Sequence, residues 1–459
     1  MMMSRVRAVC SILVVLSMLA AVLAACSGKD AAKREKNQSE QPPSTIATNG
    51  VQQSGASEGK KPEEYSGTIT LWGWDHNYYK TTFAEFQKKY PHIKLEVTNV
   101  AARDYLQKLQ TTLVSGGELP DLLVGEMDWR GRAFQLDIWE NLEAPPYNFD
   151  RSLIFGYLPA LNSKPNGEIV TIEQSVSPAG LAYRRDLAKE YFGTDDPDEL
   201  EAMFPTWDAM IEQGKNVRQK SGGSVFMFAS TGELYNLFVG QNESALLKNG
   251  ELDVTGRVKD ALLSIIRMRD AGIVDKLQLW SPQWNASIAN GRHIFYAAAN
   301  WSPQSNIKPN DPADSGRWGL MMPPGGPFSW GGTAFGINKE SKNKELAWTF
   351  IKWLLLTKEG AEISKKFNYI IPLKSVYEDD GFVSAADPYF GGQDVGRFWM
   401  ERAVPNLKLP TITEYDSLLT ASAKVALNVL NADPETTLED VLPKILEEVR
   451  AKMPDLKVK

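Results

Sequence analysis

The chain predicts an α/β fold, and two observations carry that prediction. From residue 68 onward, segments with period-two hydrophobicity alternate with segments whose apolar residues recur at helical spacing. The body that follows the amino-terminal segments is about 395 residues long and lacks any cysteine, so its cores are built by burial alone. A body of that size divides into two or three domains.

The elements follow in order. Thr68-Ile69-Thr70-Leu71-Trp72 alternates polar and apolar residues and predicts a strand, and Phe83, Phe86 and Tyr90 before Pro91 form one face of a helix. Ile93, Leu95 and Val97 alternate again. Tyr105, Leu106, Leu109 and Leu113 then mark a second helix that Gly116-Gly117 stops, and Asp121-Leu122-Leu123-Val124 predicts a short buried strand. Further helices are marked by Trp207, Met210, Ile211, Gly214 and Val217, by Val258, Leu262, Ile265 and Ile266, and by Leu346, Ala347, Phe350, Ile351 and Leu354. Near the end, Thr436 followed by Glu439 predicts a capping box that opens a helix with Leu438, Val441, Leu442, Ile445 and Val449 on its inner face. Gly325-Gly326 between Pro324 and Pro327 is a turn rather than a phosphate cradle. With no internal repeat and no long second linker, the domains are expected to interleave.

The amino terminus carries an address. Arg5 and Arg7 form a charged head, and Val9 to Val22 is a 14-residue apolar stretch broken only by Ser11 and Ser17. This is too short for the roughly 20 apolar residues of a membrane span, and predicts a signal peptide over residues 1–25. Leu23-Ala24-Ala25-Cys26 resembles the lipobox of bacterial lipoproteins, which implies a chain that begins at Cys26 and carries a diacylglyceryl group on its sulfur. Two acyl chains suffice for stable anchoring where one does not. From Ser27 to Glu64 there is no aromatic residue and little aliphatic bulk, so residues 26–65 are expected to be a disordered, lipid-anchored tether. A flexible coil of that length holds its load at an r.m.s. distance of about 35 Å. The expected location is the extracytoplasmic face of a bacterial cell membrane.

Composition excludes several classes of function. The formal charge is −7, and loss of Arg5 and Arg7 leaves −9, an acidic body that does not suit nucleic acid. His76, His92 and His293 lack metal-ligand spacing, so neither a metal site nor a cofactor is expected. There is no G-x-S-x-G elbow, P-loop or G-x-G-x-x-G, and the remaining cysteine, Cys10, lies in the segment to be removed. No catalytic residue is assigned.

Several blocks, in order, resemble the carbohydrate-type solute-binding proteins of ABC importers, the family 1 proteins that include maltose-binding protein. They are Ile69-Thr70-Leu71-Trp72-Gly73-Trp74, Phe86-Gln87-Lys88-Lys89-Tyr90-Pro91 with Ile93 to Val97, and Tyr105 to Leu109 leading into Ser115 to Asp121. Gly180 to Leu187, Pro205-Thr206-Trp207-Asp208, and Gly331-Gly332 ahead of Phe335-Gly336-Ile337 and Asn343 to Trp348 complete the set. The resemblance implies a two-lobed periplasmic-binding-protein type II fold with interleaved lobes and a hinge. The first lobe would take residues 66–175 and 329–373, and the second residues 176–328 and 374–459. It further implies a monomer that closes by hinge motion around a carbohydrate and is read by the permease subunits of the importer.

A sugar presents hydroxyls for carboxylate, amide and guanidinium groups and apolar C–H faces for aromatic rings. Among 13 tryptophans, several fall where loops should follow strands. Trp74 and Asp75 follow the first strand, where α/β proteins gather ligands, although Asp75 is equally suited to cap a helix. Asp128, Trp129 and Arg130 follow the third strand, with Glu126 just before them. By resemblance to maltose-binding proteins, Asp128 falls where an acidic residue meets sugar hydroxyls. Trp301, in Ala299-Asn300-Trp301-Ser302-Pro303, resembles the family's sugar-stacking tryptophan. Trp330, Trp284, Tyr415 and Gln174 complete the candidate set, near the expected crossovers and cleft. Trp72, Trp207, Trp348 and Trp353 lie inside element patterns and are assigned to cores. Ser177-Pro178 departs from the maltose-binding pattern, which has an acidic residue there, so maltose specificity does not carry over. The rival reading is a secreted lipoprotein glycoside hydrolase, because paired carboxylates leave no fixed spacing in a sequence. A third is a surface interaction protein without a small ligand.

Overall fold

A computed structural model describes residues 60–312 and 316–459. The expected signal peptide, Cys26 and the tether up to residue 59 lie outside the described residues. The last part of the expected tether is ordered on the body: Pro62–Glu64 makes one 3₁₀ turn, and Tyr65 meets Tyr90 edge-on at 5.7 Å.

The chain begins with β1 (Gly67–Gly73), α1 (His76–Lys89), β2 (Ile93–Asn99), α2 (Ala102–Val114), β3 (Leu122–Glu126) and β4 (Ile172–Glu173). It continues through β5 (Pro178–Arg184), α3 (Trp207–Lys220), β6 (Phe226–Phe228), α4 (Thr231–Gln241), α5 (Val254–Asp270) and α6 (Pro282–Asn290). Then come β7 (His293–Ala299), β8 (Trp318–Met321), β9 (Phe328–Ser329), β10 (Thr333–Ile337), α7 (Lys344–Leu355), α8 (Asp416–Ala432) and α9 (Leu438–Lys452).

Two larger sheets organise these elements. The first has the order β2-β1-β3-β10-β4, and the second the order β8-β5-β7-β6 with β9 also on β5. β1 pairs in parallel with β2 and β3, Ile69 lying opposite Leu95 and Leu71 opposite Leu122. Parallel neighbours need a crossover, and α1 and α2 supply it. β10 returns from the second sheet to insert antiparallel between β3 and β4, with Phe335 opposite both Val124 and Ile172. The chain therefore passes between sheets at Gln174–Ser177 and back at Trp330–Gly332. Gly331 and Gly332 hold φ of 74° and 132° in that return, values that favour glycine.

Local chemistry explains the element ends. α1 starts at His76 because the Asp75 carboxylate accepts from the Tyr78 N–H at 3.2 Å, so the helix begins a full turn and more before Phe83. Phe86 packs between Phe350 and Trp353 of α7, each ring centroid 5.2 Å away. Burying a side chain of this size contributes about 1.5–3 kcal/mol. The cap of α9 is one residue later than expected: Thr437 donates its backbone N–H at 2.8 Å and its hydroxyl at 2.7 Å to the Asp440 carboxylate, and Thr436 is buried instead. Of the tryptophans assigned to cores, Trp348 and Trp353 are buried, whereas Trp72 and Trp207 are half-buried against them.

Candidate ligand cleft

The strand ends and the two crossovers converge on one cavity of about 940 Å³. β1 delivers Trp74 and Asp75 to it, and β3 delivers Glu126, Asp128 and Trp129. The first crossover adds Gln174 and Ser177, the segment after β7 adds Trp301, and the return adds Trp330. The placement follows the general rule that open α/β sheets gather ligands beyond the carboxyl ends of their strands. Eight of the predicted residues are thus brought together.

Asp75 does two jobs. One carboxylate oxygen caps α1 and the other accepts from the Tyr369 hydroxyl at 2.5 Å. Burial, then the nearby Asp75 charge, pushes the Tyr369 phenol upward, so it stays a donor. Trp74 meets Tyr105 edge-on at 5.9 Å, and Tyr105 stacks on Trp129 at 5.2 Å with planes 11° apart. The Trp129 indole N–H donates to the Ala102 carbonyl at 3.2 Å, so this ring serves the stack as much as the cleft.

Glu126 receives the Asp128 backbone N–H at 2.7 Å. Burial and, after it, the Asp128 charge push its carboxyl up to about 8, which leaves it protonated and able to donate near neutral pH. Gln174 is 3% exposed, and its side-chain oxygen has no hydrogen-bond partner among the described residues. An acceptor buried in this way needs a donor from whatever fills the cleft. The Trp301 indole N–H donates to the Trp330 carbonyl at 3.0 Å, which fixes the ring against the return crossover.

Three predicted residues are elsewhere. Arg130 is fully buried and bidentate to Glu173, with its nitrogens at 2.5 and 3.1 Å from the carboxylate, and it also donates to the Gly125, Leu161 and Gly332 carbonyls. Its charge is spent inside the fold, so it offers nothing to a solute. Trp284 is fully buried under Trp280, one turn into α6, where the Ser281 cap turns it inward. Tyr415 lines a separate cavity with Gly131, Phe134 and Thr413.

Among the cleft residues that escaped the sequence reading are Tyr369 and Trp280. Tyr369 reaches the cleft from the loop after the helix Lys358–Lys365, whose pattern gives no sign of it. Trp280 had a signal: Ser281-Pro282 directly after it marks a helix start, which places Trp280 on a loop end. Among the described residues, no cluster of three or more His, Cys, Asp or Glu is arranged to hold a metal, and no helix is long and apolar enough to cross a membrane.

Residues 81–390 match the family of bacterial extracellular solute-binding proteins. The lactose-binding protein of Rhizobium radiobacter is 24% identical over 392 residues, covering 78% of this chain and 88% of that one. A crystal structure of a family 1 extracellular solute-binding protein superposes with a TM-score of 0.74 at 20% identity, covering 84% of this chain and 99% of the other. The galacto-N-biose/lacto-N-biose I-binding protein of an ABC transporter from Bifidobacterium longum, solved with lacto-N-biose, gives 0.70 at 18% identity, covering 86% and 99%. These likenesses show the two-lobed binding-protein fold. The chain belongs to the bacterial extracellular solute-binding protein family.

Proposed function

We propose that this protein captures a sugar or oligosaccharide in the cleft by hinge closure and hands it to the permease of an ABC-type importer. The observation that carries the reading is the chemistry of this cleft: indole rings from both of its sides face a set of hydroxyl partners in Asp75, Asp128 and Gln174. That combination suits a ligand with apolar C–H faces and a rim of hydroxyls. The relatives add support, since one is a lactose-binding protein and another was solved with lacto-N-biose. In this reading residues 66–175 and 329–373 form one lobe, residues 176–328 and 374–459 the other, and Gln174–Ser177 and Trp330–Gly332 are crossovers of the hinge.

The anchor completes the proposal. Cys26 tethers the body at the extracytoplasmic face, where a receptor gains effective concentration beside its permease. Cys26→Ser should release or misprocess the protein and impair uptake, while sugar affinity is unchanged. The hydrolase alternative is weaker, because Glu126 and Asp128 leave one loop on one side of the cleft and do not flank a bond as a hydrolytic pair does. Isothermal titration with an oligosaccharide panel, followed by recovery of the glycan, separates the readings: saturable binding with intact glycan is expected, and turnover would overturn the receptor assignment.

A further inference from the structure

Trp280 is 48% exposed and has a backbone φ of 66°. Either property alone is unfavourable for a bulky apolar residue, since the left-handed region crowds its Cβ and exposure forgoes burial. The other non-glycine residues with positive φ among the described residues are Asn148, Asn249 and Asn368, the residue type that tolerates that conformation. A structural turn before the Ser281 cap would be served as well by asparagine or glycine. Something other than the turn therefore selects an indole at this position.

The ring's neighbours indicate what. Its centroid is 5.4 Å from that of Trp330 and 6.1 Å from that of Trp301, and those two are 5.5 Å apart. The planes differ by 32° to 59°, so the three indoles form a tilted cluster rather than a flat strip. Trp284, fully buried, supports Trp280 from below at 5.0 Å. All three rings line the cleft that also holds the carboxylates of Asp75 and Asp128. Its volume of about 940 Å³ lies near the top of the range for small-ligand sites, which exceeds the need of a single hexose.

We propose that Trp280 is a ligand-contacting, specificity-determining residue that seats the apolar face of a second pyranose unit, so that the protein prefers disaccharides or longer glycans to monosaccharides. This rests on the carbohydrate reading above. Trp301 and Trp330 hold one ring of the glycan between them and the acidic side of the cleft, and Trp280 extends that wall to the next ring.

Titration calorimetry on the purified full chain tests it, with lactose, maltose, lacto-N-biose and β-1,6-galactobiose set against glucose, galactose and N-acetylglucosamine. Trp280→Asn keeps a side chain suited to the left-handed backbone and removes the ring; Trp280→Tyr keeps a ring. The expected result is a loss of about tenfold or more for the bound disaccharide in Trp280→Asn, with its constituent monosaccharides changed by less than about threefold, and recovery in Trp280→Tyr to within about threefold of the parent. Parental disaccharide affinity in Trp280→Asn, or equal losses for mono- and disaccharide, would overturn the assignment while leaving the carbohydrate reading intact. Failure of the parent to bind any sugar of the panel would overturn the carbohydrate reading and this inference with it.

Discussion

Arg130 and Glu173 form the internal clamp on which the cleft depends, and cutting it should have a large and specific cost. The guanidinium ties the end of β3, through the Gly125 carbonyl at 3.1 and 3.2 Å, to the return crossover, through the Gly332 carbonyl at 2.9 Å, and to β4 through Glu173. Side-chain exposure is 0% for Arg130 and 2% for Glu173, so Arg130→Met leaves the Glu173 carboxylate without its charged partner in a dry interior. Removing one member of such a pair costs about 3–5 kcal/mol. For a body of this size that is a fall in melting temperature of about 4–6 °C. The double variant Arg130→Met/Glu173→Met removes both charges and should recover at least half of the loss, because the penalty lies mostly in the orphaned charge. Thermal unfolding followed by circular dichroism, on the single and double variants, measures the cycle. A single-variant cost below about 1 kcal/mol, or costs that simply add in the double variant, would refute the reasoning.

Further perturbations report on other parts of the account. Glu126 has its carboxyl raised to about 8, and the proposed closure over a ligand would bury it further, so that the bound state would hold the proton more tightly. Affinity should be flat below about pH 6 and fall as pH rises through about 8, and Glu126→Gln should flatten that profile; an unchanged profile in the variant would contradict it. Glu233 is fully buried with both carboxyl oxygens unpartnered, and burial lifts it to about 8 against the opposing influence of the Trp284 indole N–H. Raised above its unfolded value, this group contributes stability that is full below about pH 4.5 and lost as pH climbs through about 8, so Glu233→Gln should gain on the parent by about 2–5 kcal/mol between pH 5 and pH 9 in denaturant titrations. Gly131 has a backbone that accepts alanine, but a Cβ there would lie 2.1 Å from the Thr413 carbonyl oxygen, in the segment that leads into α8. Relieving that clash costs about 1–3 kcal/mol, so Gly131→Ala should lower the melting temperature by about 1–4 °C, and an unchanged melting temperature in thermal unfolding would contradict it.

The legible part of the fold was the part with one wet face. β1, β2 and α2 alternate or repeat because they are half-buried, and the pattern located them within a few residues. β5 and β7 are buried at every position, so neither Pro178–Arg184 nor His293–Ala299 alternates, and only the family resemblance pointed to their neighbourhoods. The same limit governs the site. Trp74, Asp75 and Asp128 were found because strand ends fix where loops emerge. Arg130 was misread because its partner is 43 residues away, a pairing that local sequence does not display. Trp284 and Trp280 differ by one helical turn around the Ser281 cap, and that turn decides which ring is buried and which faces the cleft.

The central claim is that the cleft holds a carbohydrate. Native mass spectrometry of the protein purified from its own host tests this most directly, on the parent and on Asp128→Ala and Trp301→Ala. The account predicts a one-to-one adduct with a saccharide mass on the parent that both variants lose. A peptide or other non-carbohydrate adduct in the parent, lost in the same two variants, would contradict it.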